Sequence, residues 1–184
     1  MFNHKEVQKE LLKAPGTVTL GYGIGTEWKQ DSQWRLVGVY HLTGPENVGK
    51  HNVYIEALTK EGVRARVWVG WTWEGRRPNE RADPFFLDKP DNEPAGNLGI
   101  WWGQKIKVWI KGESATSEDL SDAAFNLHTD HPDEDGWNTK GHHSFYVLFQ
   151  EAGAMPPLPE PEPSDAHKTL VEIKKLLDGY FDGD

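Results

Sequence analysis

Residues 63–73 read VRARVWVGWTW, and this stretch decides the fold because apolar and polar positions alternate along it. Successive side chains of a β-strand point to opposite faces of the sheet, so a period of two predicts a strand with one buried face. The predicted buried face comprises Val63, Ala65, Val67, Val69, Trp71 and Trp73. Arg64, Arg66, Trp68, Gly70 and Thr72 are predicted to face the other way.

The same alternation recurs in five further segments, 17–24, 34–42, 51–58, 105–111 and 144–150. No helical period separates them, which favours an all-β protein, an antiparallel β-sandwich of about six to eight strands. A short turn at 59–62 predicts a hairpin between the strands on either side. We expect one core between two sheets, formed by Val67, Val69, Trp71, Ile106, Val108, Ile110, Phe145, Val147 and Phe149.

Two predicted helices flank the sandwich. Residues 1–16 are predicted to hold a docking helix that begins at Asn3, with Glu6 placed for a capping box. The sandwich is assigned to 17–151, a proline-rich linker to 152–164 and a C-terminal helix to 165–184. The long segments 74–104 and 112–143 are predicted as loops, the second with a possible short helix at 117–126.

The predicted C-terminal helix is too short to be stable alone. Its apolar stripe therefore requires a protein surface to pack against. The linker before it can act as a stiff spacer because proline favours an extended conformation. We therefore predict partner binding through Leu170, Ile173, Leu177 and Tyr180.

Composition excludes several classes of function. The 184 residues carry a net charge of −9, which argues against nucleic acid as a partner because phosphate binding requires clustered Lys and Arg. No apolar run is long enough for membrane insertion, and the first residues do not resemble a signal peptide. The absence of cysteine excludes disulfides and thiolate chemistry.

The segment 127–143, LHTDHPDEDGWNTKGHH, concentrates polar groups on a predicted loop and holds four of the eight histidines. Its histidine spacing matches no zinc motif, so neither a metal nor another cofactor is predicted, and the protein is expected to fold without one. If a metal binds, the candidate ligands are His128, His131 and His142. The alternative is a polar loop whose side chains bond to nearby backbone.

Nine tryptophans are many for this length, and two of them, Trp68 and Trp109, are predicted on outward faces of strands. Indole rings beside polar groups suit sugar rings, which have apolar faces and hydroxyl edges. The predicted glycan site comprises Trp68, Trp109, Trp137, Asp130, Asp133 and His131, with Trp101 and Trp102 as a possible rim. The alternative is that the outward tryptophans cover a loop or pack under a terminal helix.

Four stretches carry a resemblance: WRLVGVYHLTGPENVGKHNVYIEAL (34–58), VGWTWEG (69–75), LDKPDNEPAGN (87–97) and LHTDHPDEDGWNTKGHHSFYVLFQ (127–150). The region that contains them resembles a β-sandwich module found with bacterial and phage cell-wall hydrolases and surface proteins. The resemblance implies an accessory or binding role without catalysis, although this chain has no hydrolase domain beside the module. It implies no particular ligand residues.

No catalytic motif is present in the sequence, so we expect a protein that is not an enzyme and has no catalytic residues. The leading hypothesis is a structural or accessory protein of a phage virion, of the capsid-decoration or fibre type, with binding of a cell-surface glycan by the sandwich as an additional hypothesis. Its partners would be other virion or assembly subunits, contacted through the terminal helices. The alternatives are a free carbohydrate-binding protein and a metal-dependent hydrolase that uses the 127–143 loop.

Overall fold

A computed structural model describes residues 2–18, 22–118, 121–134 and 136–153. Within these residues the chain forms ten strands and two helices. In chain order they are α1 (His4–Lys13), β1 (Thr17–Val18), β2 (Gly25–Glu27), β3 (Trp34–His41), α2 (Gly44–Asn47), β4 (Asn52–Leu58), β5 (Trp68–Trp73), β6 (Phe85–Phe86), β7 (Gly96–Gly99), β8 (Ile106–Gly112), β9 (Ala123–Leu127) and β10 (Phe145–Glu151).

The strands form two five-stranded sheets. Sheet A has the order β1-β3-β10-β4-β7, and sheet B has the order β2-β9-β8-β5-β6. Their inward side chains meet in one core, because one face of each sheet is apolar and must be removed from water. The predicted all-β sandwich is confirmed. The turn at 59–62 is present and Leu58 bridges to Arg64, but the predicted hairpin between the strands on either side is wrong, because β4 lies in sheet A and β5 in sheet B. The predicted 63–73 strand begins only at Trp68, and Val63, predicted on the buried face, is exposed.

Sheet A is mixed rather than purely antiparallel, which corrects one detail of the prediction. β10 pairs antiparallel with β3 but parallel with β4, and β1 pairs parallel with β3. Parallel neighbours need a long connection. The chain between β4 and β10 provides one, because it builds most of sheet B on the way.

The core between the sheets has the predicted composition. Of the nine predicted residues, eight are buried, and Trp71 is partly buried against the same cluster. The period-two pattern succeeded here because each of these strands has one face toward the opposite sheet.

Helix α1 lies on the outer face of sheet A. Its residues Val7 and Leu11, with Phe2, join a second apolar cluster that includes Tyr146 and Leu148 of β10. The predicted docking helix therefore docks on its own sandwich. Its predicted capping box is wrong, because the Asn3 side chain makes no capping hydrogen bond. A capping box does form at α2, between Thr43 and Glu46.

Three strands lie in segments that were predicted as loop or helix. β6 and β7 are short, and β9 occupies part of the segment predicted as a possible helix at 117–126. The linker from residue 154 onward and the C-terminal helix, with Leu170, Ile173, Leu177 and Tyr180, lie outside the described residues. In the described part of the chain, no helix has the length and apolar character that crossing a membrane requires.

Candidate functional site

Three loops meet at one end of the sandwich, which we call the loop end. The strand register places His41 at the end of β3 beside Phe145 at the start of β10, and Phe145 beside Val53 near the start of β4. The segments 42–51, 100–105 and 128–144 leave or enter the sheets there. Loops on a rigid scaffold are the usual location of binding sites.

Two buried asparagines fasten these loops to one another. Asn47 at the end of α2 donates to the side-chain oxygen of Asn138 at 2.8 Å, and also to the backbone oxygen of His142. Asn138 in turn donates to the backbone oxygen of Leu42 at 2.8 Å. Hydrogen bonds between buried groups hold geometry strongly, because breaking one leaves a desolvated polar atom. The 128–144 loop is therefore fixed against the segment that follows β3.

A group of stacked imidazole rings lies beneath this loop. The Nε2 atom of His41 and the Nδ1 atom of His143 are 2.9 Å apart, at hydrogen-bonding distance, and both residues are buried. The Tyr22 ring stacks on the His41 ring with 3.8 Å between centroids. Burial lowers the pKa of His143, so the neutral ring is favoured. Two neutral imidazoles suit this contact, because one must donate and the other accept.

Two further histidines extend the group. The rings of His128 and His131 stack with 4.0 Å between centroids, and His131 meets His143 edge-on. Burial, aided by the neighbouring histidines, lowers the pKa of His131 to about 4. The buried Nε2 atom of His131 has no hydrogen-bond partner among the described residues. A buried polar atom of this kind calls for a water, an ion or a ligand.

Glu134 completes the arrangement from the solvent side. Its carboxylate accepts hydrogen bonds from the Tyr22 hydroxyl and from Asn138. Burial would raise the pKa of Glu134, but these two hydrogen bonds, together with the charge interaction with the neighbouring histidines His41 and His143, lower that pKa. One ligand atom from each of His41, Glu134 and His143 lies within 4.8 Å of the others.

The predicted metal ligands are therefore corrected. His142 is exposed, bonds to the Thr139 hydroxyl and contacts His51, so it does not converge with His128 and His131. Only its neighbour His143 points into the group. The described residues contain one set of three converging ligands, and it is His41, Glu134 and His143.

The predicted glycan residues divide between two places. Trp137, Asp130, Asp133 and His131 lie at the loop end. Asp133 accepts from the backbone of Lys140, as the alternative interpretation expected. The buried Oδ1 atom of Asp130 lies 3.5 Å from His128 but has no hydrogen-bond partner among the described residues. Trp68 and Trp109 lie instead on the outer face of sheet B.

The outer face of sheet B does not carry the exposed indole pair that the sequence suggested. β5 and β8 are neighbours, as a platform requires, but both indoles are half-buried. Trp109 covers Gly70, where an added Cβ would lie 2.4 Å from its ring, and Trp68 packs against Phe86. A shallow cleft of about 340 Å³ beside them is lined by residues that include Lys107, Trp73 and Phe125.

The exposed indoles lie at the loop end. The exposed fractions of Trp101, Trp102 and Trp137 are 72%, 61% and 54%. Trp102 packs over Gly141, where an added Cβ would lie 2.9 Å from the ring, so the 100–105 and 128–144 loops touch. The ammonium group of Lys140 lies 5.1 Å from the Trp102 ring centroid.

Sequence reasoning missed His41, Glu134 and Tyr22 as members of the site. His41 carried one weak signal, because it ends a predicted strand that enters a polar loop. Its partner could not be identified, since the register of β3 against β10 is a long-range property. Glu134 lies in the 127–143 segment and Tyr22 in the predicted 17–24 strand, but neither pattern connects these two side chains.

Comparison with known proteins gives no relative for this chain. No protein-family model matches it, and neither a curated protein nor a solved structure matches it. Functional conclusions therefore depend on the geometry of the loop end.

Proposed function

We propose that the protein is a non-catalytic recognition module that binds a glycan at the loop end, through Trp101, Trp102 and Trp137. The observation that carries this proposal is the exposure of three indoles, each by more than half, on two loops that touch. Exposed apolar side chains that cluster on a soluble domain mark interaction sites.

The chemistry around these rings favours a sugar over a purely apolar partner. One face of a pyranose ring presents C–H groups that stack on an indole, while its hydroxyls need donors and acceptors nearby. Lys140 supplies a polar group beside Trp102, and the exposed His142 follows Gly141, on which Trp102 packs. The net charge of −9 disfavours an anionic surface as the partner.

Pre-organisation supports the same proposal. Trp102 is held over the backbone of Gly141, whose φ of 90° favours glycine. The Asn47–Asn138 hydrogen bond fixes the loop that carries Trp137. A platform that is ordered before binding loses less conformational entropy when the ligand arrives.

The test is binding to glycans of bacterial cell walls. Intact protein would be sedimented with insoluble peptidoglycan and titrated with soluble N-acetylglucosamine oligomers, using tryptophan fluorescence. We expect saturable binding that weakens at least tenfold in Trp101→Ala and Trp102→Ala, a loss of about 1.4 kcal/mol or more.

Trp28 supplies a matched control. It is also exposed, but it lies in the segment before β3, at the opposite end of the strand from His41. Trp28→Ala should bind as the unchanged protein does. If only Trp109→Ala lost glycan binding, the site would instead lie on the outer face of sheet B. The proposal is rejected if the protein shows no saturable binding to any of these glycans.

The assembly role stays a prediction. It depends on the C-terminal segment with Leu170, Ile173 and Leu177, which lies outside the described residues. The apolar face of α1 is already used against sheet A, so only the polar face of that helix is free for another subunit.

A further inference from the structure

We propose that His41, His143 and Glu134 form a binding site for a divalent first-row transition metal ion of the zinc class. The proposal concerns a separate group of residues and stands or falls independently of glycan binding. Imidazole nitrogen and carboxylate oxygen are the donors that such ions take from proteins without cysteine.

The positions of the three donor atoms fit this class of ion. The Nε2 atom of His41 and the Nδ1 atom of His143 are 2.9 Å apart, and one ligand atom from each of the three residues lies within 4.8 Å of the others. Ligands about 2.1 Å from a tetrahedral ion are about 3.4 Å apart. The histidine pair must separate by a few tenths of an ångström, and the exposed Glu134 side chain can swing inward to complete the set.

The scaffold holds the two histidines more firmly than a surface cluster would. His41 is the last residue of β3, and its register partner on β10 is Phe145. His143 lies two residues before Phe145 in the chain. Tyr22 stacks on His41 and donates to Glu134, so one side chain orients two of the three ligands. Partners outside the ligand set that fix ligand orientation are typical of metal centres.

The charge of the site is also suitable. Both imidazoles are buried, and a neutral imidazole offers one nitrogen lone pair to an ion. Glu134 forms no ion pair with Lys or Arg in the described part of the chain, and its hydrogen-bond donors are neutral. A divalent ion would balance this carboxylate without displacing a cation.

Three protein ligands leave one position of a tetrahedral ion for water. His131 meets the His143 ring edge-on, and its buried Nε2 atom lacks a partner among the described residues. A metal-bound water is a suitable donor to this nitrogen. Calcium and magnesium are poor candidates, because they prefer six or more oxygen ligands.

The experiment uses the full chain, stripped with chelator and titrated calorimetrically with zinc(II). We expect one ion per chain, and cobalt(II) should give the visible absorption bands of a tetrahedral site with nitrogen and oxygen ligands. Glu134→Gln should weaken zinc binding at least tenfold. This side chain is exposed, so the variant should fold even if His143→Gln does not.

His142→Ala is the matched control, since it removes the adjacent histidine that faces solvent. Zinc binding should be unchanged in this variant. The proposal is overturned if the unchanged protein shows no saturable zinc binding, or if Glu134→Gln binds as tightly as the unchanged protein. Loss of binding in His142→Ala alone would also overturn it.

Discussion

His142 and His143 are neighbours in the chain, yet they occupy opposite environments. His142 is exposed and bonds to the Thr139 hydroxyl at 2.9 Å, whereas His143 is fully buried and meets the Nε2 atom of His41 at 2.9 Å. Side chains at adjacent extended positions point to opposite sides of the backbone. The segment directly before β10 therefore places the His142 imidazole in solvent and the His143 imidazole under the loop.

This contrast predicts unequal effects on stability. His143→Ala should lower the free energy of unfolding by about 1–3 kcal/mol in metal-free buffer, because it removes a buried hydrogen bond and leaves a cavity. His142→Ala should change it by less than about 0.5 kcal/mol. Urea denaturation of both variants checks this, and equal losses would contradict the buried role of His143.

A second prediction concerns the buried ion pair between Glu56 and Arg64. Arg64 contacts both carboxylate oxygens, at 2.5 and 2.8 Å, and Glu56 has no exposed surface. Arg64→Ala should destabilise the protein by about 3–5 kcal/mol, because an unpaired carboxylate would remain buried. Thermal or urea unfolding measures the loss.

Arg66 is the control for that experiment, since it is exposed and two residues away. Arg66→Ala should stay within about 0.5 kcal/mol of the unchanged protein. If Arg64→Ala changed the free energy of unfolding as little as Arg66→Ala, the Glu56–Arg64 ion pair would not stabilise the junction of the two sheets.

A third prediction concerns pH. The pKa of His131 falls from 6.5 to about 4 on folding, so between these values the unfolded chain binds more protons than the native protein. The free energy of unfolding should therefore decrease as the pH falls from about 6.5 to about 4. His131→Gln should flatten this dependence, as measured by urea unfolding at several pH values in the presence of chelator. An unchanged slope would show that other groups cause the acid sensitivity.

A fourth prediction concerns the C-terminal segment. Deleting 154–184 should leave a folded sandwich, because the described residues from Phe2 to Phe149 already supply an apolar core between the sheets and a second apolar cluster under α1. The melting temperature should fall by only a few degrees, and gel filtration of both forms would reveal any oligomer that the segment supports. Unfolding of the truncated chain would instead make the segment part of the core and weaken the assembly hypothesis.

The sequence was sufficient to predict burial where the burial of a residue depends only on its position in its own strand. Val69, Val108 and Val147 were correctly placed in the core, because alternation within one strand reports which face is buried. The same reasoning placed Trp68 and Trp109 on outward faces, although only β8 alternates cleanly and the register of β5 shifts between Trp68 and Val69. It failed for β9, where Ala123–Leu127 has a weak pattern and two small residues.

The exposure of the tryptophans required the folded structure. Trp109 loses its exposure because Gly70 lies opposite it on β5 and leaves room for the ring. Trp102 packs on Gly141, yet 61% of it remains exposed. The two residues in each of these contacts are far apart in the sequence, so the alternation of apolar and polar positions could not reveal the contact.

The sequence by itself determined the two apolar faces, the helix at the N-terminus and the loop in which the histidines are concentrated. Only the tertiary structure decided which histidines meet. His41 and His143 are more than a hundred positions apart, and the pairing of β3 with β10 brings them to 2.9 Å. Local patterns encode burial because each side chain responds to its own strand, whereas a site built from three loops depends on strand order and register, which are properties of the whole sheet.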